Sequence, residues 1–279
     1  MTRGASAGPP GSALVTGGAR RIGRAIVEAL AERGSAVAIH CHRSREEAHS
    51  LAESLAKTGA KARVITADLA DARDAACVVA TAEAAVGKLS LLVNNAAVFE
   101  EDDVRSLDTK RFDHQVAVNL RAPLILSRDF AKRAPPASKP AIINIIDQRV
   151  LKPDPRCFSY GLTKSALWSA TRMMAQAFAP MIRVNAVAPG PTFPNLREGD
   201  EGVLREAQAT LLGERVRPEA IAAAVLYLAE AEHVTGQIVA VDSGQHLGWM
   251  TPDVMATMGL EVAIPRPVTK TKDDDQRRR

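Results

Sequence analysis

Three side chains in the segment NIIDQRVLKPDPRCFSYGLTKSALW could exchange protons with a substrate: Asp147, Tyr160 and Lys164. Tyr160 precedes Lys164 by four residues, a spacing that places both on one face of a helix. A phenol has an ordinary pKa of about 10. A neighbouring ammonium favours the phenolate, so we expect Lys164 to lower the pKa of Tyr160 and make it a better proton relay near pH 7. Packing or an interface contact is the alternative use of this tyrosine.

Asp147 brings a carboxylate close to this pair in sequence. An ionised carboxylate only accepts hydrogen bonds. It would repel the lone pairs of a ketone and the oxyanion formed on reduction, but it would accept N–H groups or pass protons through the tyrosine or a water. The residue therefore favours reduction of a C=N or conjugated C=C bond in a nitrogen heterocycle. Alternatively, the carboxylate only forms an ion pair with an arginine: Arg149, Arg156 or Arg21.

A glycine-rich turn, TGGARRIG, follows the first apolar run of the chain. Gly17 and Gly23 bracket a turn from a strand into a helix, which directs helix N–H groups at a phosphate. Glycine allows both the tight turn and the close approach of a ligand to the backbone. The turn predicts a phosphate-containing cofactor.

Apolar runs alternate with segments of helical spacing along the chain. Predicted strands span residues 12–16, 36–40, 62–66, 89–94, 141–146, 182–187 and 237–241, and predicted helices span 21–33, 45–57, 71–86, 109–133, 158–178 and 218–230. The alternation predicts an α/β protein, a Rossmann-type doubly wound three-layer fold with a seven-stranded parallel sheet. We expect one domain over residues 12–249, a flexible tail over 1–11, and a C-terminal extension over 250–279 with a disordered end.

Composition excludes several classes of protein. The net charge is +4, with no interleaved basic and aromatic residues that would favour nucleic acid. No apolar run reaches the roughly 18 residues needed to span a bilayer, and the first residues lack the apolar core of a signal peptide. Three widely spaced cysteines without a CxxC motif predict a reducing, cytoplasmic location. His40 and His42 have no third ligand at suitable spacing, so we expect no metal.

Five motifs occur in order and carry a family resemblance: the T-G-x5-G turn, Asn94-Asn95-Ala96, Asn119, Tyr160-x-x-x-Lys164 and Pro189-Gly190. Over about residues 11–249 the chain resembles the short-chain dehydrogenase/reductase family. The resemblance implies a hydride-transfer enzyme in which Tyr160 donates the proton and Lys164 also holds the nicotinamide ribose. It implies that Asn119 supports the lysine through a water, although a surface or helix-bending asparagine is the alternative.

Arg43 indicates which dinucleotide binds. An NAD site has an acidic residue about 20 residues after the glycines, and Arg43 occupies that position, with no carboxylate before Glu46. A guanidinium suits the 2′-phosphate of NADP(H), which a carboxylate would repel. A solvated arginine at a helix start is the alternative. Besides Gly17, Gly23, Tyr160 and Lys164, the residues expected at the cofactor are Arg20, Arg21, Ile22, His42, Ser44, Asp68, Leu69, Asn95, Ala96, Ala97, Pro189, Gly190 and Thr192.

Departures from the common family pattern indicate a branch. Most members carry serine where Asp147 stands, and Ser159 cannot replace it because adjacent helical positions point about 100° apart. Pteridine reductases and dihydromonapterin reductases carry aspartate there. They also have an arginine in the glycine turn, as in Arg21, and the pteridine reductases have an H-x-H-R-S segment and a phenylalanine similar to Phe99. Those enzymes have serine where this chain has Ala97.

The branch implies a pterin stacked on Phe99, with Arg21, Asp147 and Tyr160 as further substrate contacts; for Phe99 the alternative is ordinary core packing. The rival enzyme is a carbonyl or 3-oxoacyl-type reductase, and the non-enzyme rival is an NADP(H)-binding sensor or assembly protein. The partner is expected to be a small-molecule substrate, with residues 192–212 covering it. Family members pair through the helices near 109–133 and 158–178, so we expect a homotetramer or dimer, although the alanines there would also suit the core.

Overall fold

The computed structural model describes residues 11–194, 199–251, 254, 257 and 258. The predictions for the N-terminal tail and for most of the C-terminal extension therefore fall outside the described residues. Within them, no helix combines the length and the apolar character that crossing a bilayer requires.

One parallel sheet forms the centre of the molecule. Its strands are β1 Ser12–Val15, β2 Ala36–Cys41, β3 Ala62–Thr66, β4 Leu91–Asn94, β5 Ala141–Ile145, β6 Arg183–Pro189 and β7 Ile238–Val241. The spatial order is β3-β2-β1-β4-β5-β6-β7, and every neighbouring pair is parallel. The predicted seven-stranded parallel sheet is confirmed.

Helices connect successive strands. They are α1 Arg21–Glu32, α2 Arg45–Lys57, α3 Ala72–Val86, α4 Thr109–Val116, α5 Ala122–Ala131, α6 Phe158–Phe178, α7 Gly199–Gln208 and α8 Pro218–Glu230. The single helix predicted over 109–133 is wrong in one respect, because a π turn at Ala117–Arg121 separates α4 from α5. Pro123 has no N–H to give to the carbonyl of Asn119 four residues earlier, which weakens the regular helix there.

Two apolar layers cover the faces of the sheet. Alternate strand residues point to opposite faces. Val15 therefore packs with α1, α2 and α8 on one face, and Leu14 packs with α3, α5 and α6 on the other. Burial on both faces explains why the strands are continuous apolar runs rather than alternating ones.

The strand order changes direction between β1 and β4: strands β1 to β3 are added toward one edge of the sheet, and β4 to β7 toward the other. Strands β1 and β4 are neighbours, with Val15 paired to both Ile39 and Val93. Open α/β sheets bind ligands in the crevice at such a reversal, beyond the carboxyl ends of the strands. The glycine turn after β1 and the Asn-Asn-Ala segment at the end of β4 meet there, since the Asn95 N–H donates to Thr16 Oγ1 over 2.9 Å.

Candidate active site

The glycine turn after β1 is closed by contacts that leave no room for a side chain at Gly23. Gly17 has a φ of +60°, and a Cβ on Gly23 would overlap the Gly17 carbonyl oxygen. The Asn95 amide donates to the carbonyls of Thr16 over 2.8 Å and Gly17 over 3.1 Å. Asn95, predicted at the cofactor, thus uses its side chain to hold the turn that precedes α1.

His40 supports the same turn from β2. The Gly17 N–H donates to His40 Nδ1 over 3.2 Å, so the ring proton resides on Nε2, which lies 3.2 Å from the Ala67 carbonyl. Burial lowers the pKa of His40 to about 4, and the ring is neutral at pH 7. His42, in contrast, is exposed, with Nδ1 3.8 Å from Asp68 Oδ1. Among the described residues, no group of three or more potential ligands is placed to hold a metal ion.

Arg21 occupies the position where the family turn usually has a glycine, and it keeps the glycine-like backbone. Its φ is +53°, in the left-handed region that costs about 1–3 kcal/mol for a residue with a side chain. Arg21 Nη2 donates to the Pro194 carbonyl over 2.7 Å, and the guanidinium lies 5.1 Å from the Phe193 ring centroid. Arg215 lies 5.5 Å from the same centroid. The glycine turn is thereby joined to the segment after β6.

Basic side chains surround this turn. The pKa of Arg21 is lowered first by burial and then by the charges of Arg20 and Arg215. Arg20 forms an exposed ion pair with Glu47 at 3.5 Å. Arg43, two residues after the end of β2, is exposed, and it forms no ion pair with the other described residues. A negatively charged ligand would relieve the repulsion among these cations.

The remaining predicted cofactor positions line the carboxyl edge of the sheet. Ser44 precedes α2, and Asp68 follows β3, where its Oδ1 accepts the Ala70 N–H over 2.9 Å. The Leu69 side chain is buried in the core, so its backbone is what it can offer a ligand. Pro189 ends β6, and a Cβ on Gly190 would lie 2.6 Å from the Asp242 Cα. Three further positions lie in loops at this edge: Ala96 and Ala97 follow β4, and Thr192 follows β6. Ile22 lies in the first turn of α1.

The structure brings together the three side chains that the sequence predicts to exchange protons. The Tyr160 hydroxyl donates to Asp147 Oδ2 over 3.2 Å. Lys164 Nζ donates to the Ile145 carbonyl over 2.9 Å and lies 5.6 Å from the Tyr160 ring centroid. Tyr160 and Lys164 are buried on α6, and Asp147 lies two residues after the end of β5.

The pKa shifts of this group overturn one sequence-based expectation. The pKa of Tyr160 is raised well above its ordinary value, first by burial and then by the Asp147 carboxylate. Burial lowers the pKa of Lys164 to about 8, against the opposing effect of Asp147. The expectation that Lys164 would lower the pKa of Tyr160 is wrong, because burial and the Asp147 carboxylate raise that pKa while the ammonium is directed at the Ile145 carbonyl. The phenol keeps its proton near pH 7, as a proton donor requires.

Asp147 forms an ion pair and contacts Tyr160 at the same time. Its Oδ1 accepts the Arg149 backbone N–H over 2.8 Å, and Arg149 Nη1 lies 3.4 Å from each carboxylate oxygen. Of the three arginines considered from the sequence, Arg149 is therefore the partner, while Arg156 pairs with Asp154 at 2.8 Å. The ion pair does not withdraw the carboxylate from the phenol.

Phe99 lies at the mouth of this group rather than in the core. Its side chain is 37% exposed, so the core-packing alternative is wrong. The ring meets Tyr160 edge to face, with centroids 4.8 Å apart, and the Arg149 guanidinium lies 5.8 Å from the Phe99 centroid. An exposed aromatic face is thus available beside the phenol.

Asn119 positions the segment that carries Phe99. Its Oδ1 accepts the Val98 N–H and its Nδ2 donates to the Val98 carbonyl, both over 2.8 Å. Nδ2 also lies 3.2 Å from Thr163 Oγ1 on α6. Asn119 is fully buried in the π turn, which excludes the surface alternative, and the expected support of Lys164 through a water remains a prediction.

Comparison with known proteins identifies the family. Residues 17–246 match the family model described as Enoyl-(Acyl carrier protein) reductase. A short-chain type dehydrogenase/reductase from Picea abies is 32% identical over 247 residues, which cover 84% of this chain and 91% of that protein. The chain belongs to the short-chain dehydrogenase/reductase family. The 3-oxoacyl-[acyl-carrier-protein] reductase FabG of Staphylococcus aureus is 30% identical, over 85% of this chain and 98% of that protein.

Two solved structures of FolM proteins are similar to this chain. FolM Alternative dihydrofolate reductase 1 from Brucella canis, complexed with NADP, is 46% identical, with a TM-score of 0.86 over 90% of this chain and 99% of that one. The Brucella suis protein, also in complex with NADP, is 47% identical, with a TM-score of 0.85 over 88% of this chain and 98% of that one.

Ser159 is unavailable for the serine role found in most short-chain dehydrogenase/reductase members. It is fully buried, its N–H donates to Asp102 Oδ1 over 2.9 Å, and its hydroxyl is bonded to Asp102 Oδ2. This confirms the helical-geometry expectation that Ser159 points away from the position of Asp147. Asp102 caps the start of α6 and fixes the loop after β4 to it.

Sequence reasoning missed the contacts that long-range packing creates. Arg149 was considered only as an ion-pair partner, yet it also approaches Glu206 of α7 at 3.7 Å. Phe193 and Arg215 were not identified from the sequence either. Phe193 contacts Arg21 of the glycine turn, and Arg215 Nε donates to the Thr192 carbonyl in the loop after β6 over 2.5 Å. The aromatic residue in the APGPTFPN segment was the one available signal.

Proposed function

We propose that this family member is an NADPH-dependent reductase of a pteridine or dihydropterin-like substrate. The observation that carries the proposal is the Asp147 carboxylate, which accepts the Tyr160 hydroxyl over 3.2 Å. A carboxylate at this position accepts N–H groups and disfavours an oxyanion. The 46% and 47% identity to the two FolM dihydrofolate reductases supports the same substrate class.

The residues at the carboxyl edge of the sheet fit NADP(H). The turn over Gly17–Gly23 leaves no room for a Cβ at Gly23 and leads into the N-terminus of α1, as a pyrophosphate site requires. The exposed guanidinium of Arg43 suits the 2′-phosphate, and NADP is present in both Brucella structures. When bound, the cofactor supplies the hydride. Asp68 would contact the adenine, and Lys164 the nicotinamide ribose.

Phe99 and Asp147 would orient the substrate. The exposed ring of Phe99 offers a flat surface for a heterocycle, and the carboxylate beside it accepts a ring or amino N–H. Arg21 would contact the substrate or the cofactor phosphates from the opposite loop. Ala97 offers no hydroxyl, so the hydrogen bond that a serine would make to the substrate there is lost.

Tyr160 would donate the proton. Its phenol keeps that proton near pH 7 because burial and the Asp147 carboxylate raise its pKa. Lys164, with a pKa of about 8, can exchange a proton with its surroundings near neutral pH. Asn119 holds the segment that bears Phe99, so the aromatic surface and the proton donor keep a fixed separation.

A 3-oxoacyl-type reductase is the second candidate. It is favoured by the match to the Enoyl-(Acyl carrier protein) reductase model and by the 30% identity to FabG. Asp147 argues against it, because reduction of a ketone places developing negative charge on oxygen beside an existing carboxylate.

The test is NADPH oxidation against a panel of dihydropterins, dihydrofolate, ketones and acyl thioesters. The proposal predicts turnover of at least one pterin at a kcat/KM tenfold or more above that of any ketone or thioester. Turnover of an acyl thioester without any pterin turnover would contradict it and support the second candidate. Tight NADPH binding with no turnover on the panel would indicate a sensor.

We also infer a cytoplasmic homotetramer built from one domain per chain. All three cysteines are free, which suits a reducing compartment. Exposed apolar side chains lie on the two helices expected at the interface, among them Leu124 on α5 and Leu162 and Met173 on α6. A purely monomeric species at micromolar concentration in analytical ultracentrifugation would contradict the tetramer.

A further inference from the structure

Arg149 is a largely buried cation that approaches three carboxylates, two in its own loop and one on α7. Its guanidinium lies 3.4 Å from Asp147, 3.8 Å from Asp154 and 3.7 Å from Glu206 of α7, and its side chain is 18% exposed. Burial lowers its pKa, but the nearby negative groups, Asp147 foremost, outweigh burial and raise the pKa above its ordinary value. Arg149 therefore stays charged at neutral pH.

We propose that Arg149 is a positioning residue that holds the Asp147 carboxylate turned toward Tyr160, and that α7 shares this contact through Glu206. The inference rests on the proposed function, because it assigns to Arg149 the task of keeping Asp147 ready to accept a substrate N–H. It extends that function to a residue outside the family motifs.

The first support is the division of the carboxylate between two partners. Oδ1 accepts the Arg149 N–H over 2.8 Å and Oδ2 accepts the Tyr160 hydroxyl over 3.2 Å, while Nη1 reaches both oxygens at 3.4 Å. Contacts at both oxygens fix the rotation of the carboxylate. Its oxygens have about four lone-pair sites, so capacity remains for an N–H of a heterocycle.

The second support is charge. An opposite charge within about 4–6 Å of a carboxylate favours its ionised form. Four charged or titratable groups face Asp147: Arg149, Tyr160, Lys164 and Cys157. Arg149 faces Asp147, Tyr160 and Cys157 as well as the carboxylates of Asp154 and Glu206. Arg149 is the cation that contacts Asp147 directly, whereas Lys164 is directed at the Ile145 carbonyl.

The third support is the aromatic surface. The Arg149 guanidinium lies 5.8 Å from the Phe99 ring centroid, within the range of a cation–π contact. One side chain therefore touches the carboxylate, the proposed stacking residue and α7. A role limited to stability would not require these three contacts to converge on the reacting groups.

The test compares pH profiles of kcat/KM for a dihydropterin in the full-length protein with saturating NADPH. Arg149→Met keeps the length of the side chain and removes its charge. We expect its low-pH limb to move up by about one pH unit or more, with activity recovering at higher pH. Arg156→Met is the matched control: it removes an arginine from the same loop that pairs with Asp154. Its limb should stay in place.

A low-pH limb that stays in place in Arg149→Met, or an equal movement of the limb in Arg156→Met, would overturn the inference. Glu206→Gln provides the test if Arg149→Met does not fold, because it removes a carboxylate that shares Arg149 with Asp147. Its low-pH limb should move to lower pH, and an unmoved or upward-moved limb would overturn the inference. Failure of the unaltered protein to reduce any dihydropterin would instead contradict the proposed function.

Discussion

The hydroxyl of Tyr160 donates to Oδ2 of Asp147 over 3.2 Å, and both side chains are largely buried, at 7% and 14% exposure. The contact gives the phenol an acceptor that holds its proton in place. It also sets a negative charge where most family members have a neutral hydroxyl. The same pair therefore defines both the proton donor and the kind of substrate that can approach it.

Replacement of Tyr160 by phenylalanine removes the proton donor and leaves the ring. We expect kcat for a dihydropterin to fall by about 10²–10⁴-fold, because general acid catalysis contributes that much, while NADPH affinity changes little. Tyr227→Phe is the matched control, since Tyr227 is the other tyrosine of the chain and is 58% exposed. Steady-state kinetics and NADPH fluorescence titration give the two quantities. Equal activity in the two variants would refute the assignment.

Replacement of Arg43 by alanine should change the choice of cofactor. Loss of charge-assisted hydrogen bonds to a 2′-phosphate costs about 1.5–3 kcal/mol, so NADPH affinity should fall about tenfold or more while NADH affinity stays constant. Arg45→Ala removes an exposed arginine two residues away at the start of α2 and serves as the control. Paired calorimetric titrations with NADPH and NADH measure the effect. Parallel weakening of both cofactors would contradict the assignment.

The left-handed backbone of Arg21 predicts a separation of function from stability. Arg21→Gly relieves strain at a φ of +53° but removes the contacts to Phe193 and Pro194, so unfolding free energy should change by less than about 1 kcal/mol. KM for the pterin should rise about tenfold. Arg24→Gly, in the regular part of α1, should cost about 1 kcal/mol and leave KM unchanged. Urea unfolding and kinetics test both; a large loss of stability at Arg21 with constant KM would contradict the account.

His40 predicts how stability depends on pH. Its folded pKa of about 4 lies below the ordinary 6.5, so the unfolded state binds more protons between these values and stability falls as the pH drops through this window. Between pH 7 and pH 5 the loss from this group is about 2 kcal/mol. His40→Gln should remove that dependence, because glutamine does not titrate, whereas the exposed His42→Gln should retain it. Urea unfolding at pH 7 and pH 5 measures how much the unfolding free energy of each variant changes. An equal change in the two variants would contradict the prediction.

Local sequence patterns predicted most of the fold because the strands are buried on both faces and read as continuous apolar runs. Gly23 was predictable too, since a turn that brings two backbone segments together excludes a side chain. The π turn was missed because its cause, Pro123 acting on Asn119, interrupts a helix whose apolar spacing continues unbroken. Propensity alone does not reveal such a change of register.

The electrostatics of the site were less predictable from sequence. Whether Lys164 or Asp147 governs Tyr160 depends on distances and burial that long-range packing sets, and the sequence places all three in one segment without ranking them. The convergence of Arg149 with Glu206 similarly joins a short turn after β5 to a helix of the loop after β6. Periodicity carries no signal for such contacts.

Substitution of Asp147 by serine, followed by NADPH oxidation with a dihydropterin and with a simple ketone, tests the central claim most directly. Asp154→Asn is the control, because Asp154 approaches the same arginine at 3.8 Å. The account predicts that Asp147→Ser lowers kcat/KM for the pterin at least tenfold and does not lower that for the ketone, while Asp154→Asn alters neither by more than about twofold. Unchanged pterin turnover in Asp147→Ser would contradict the account.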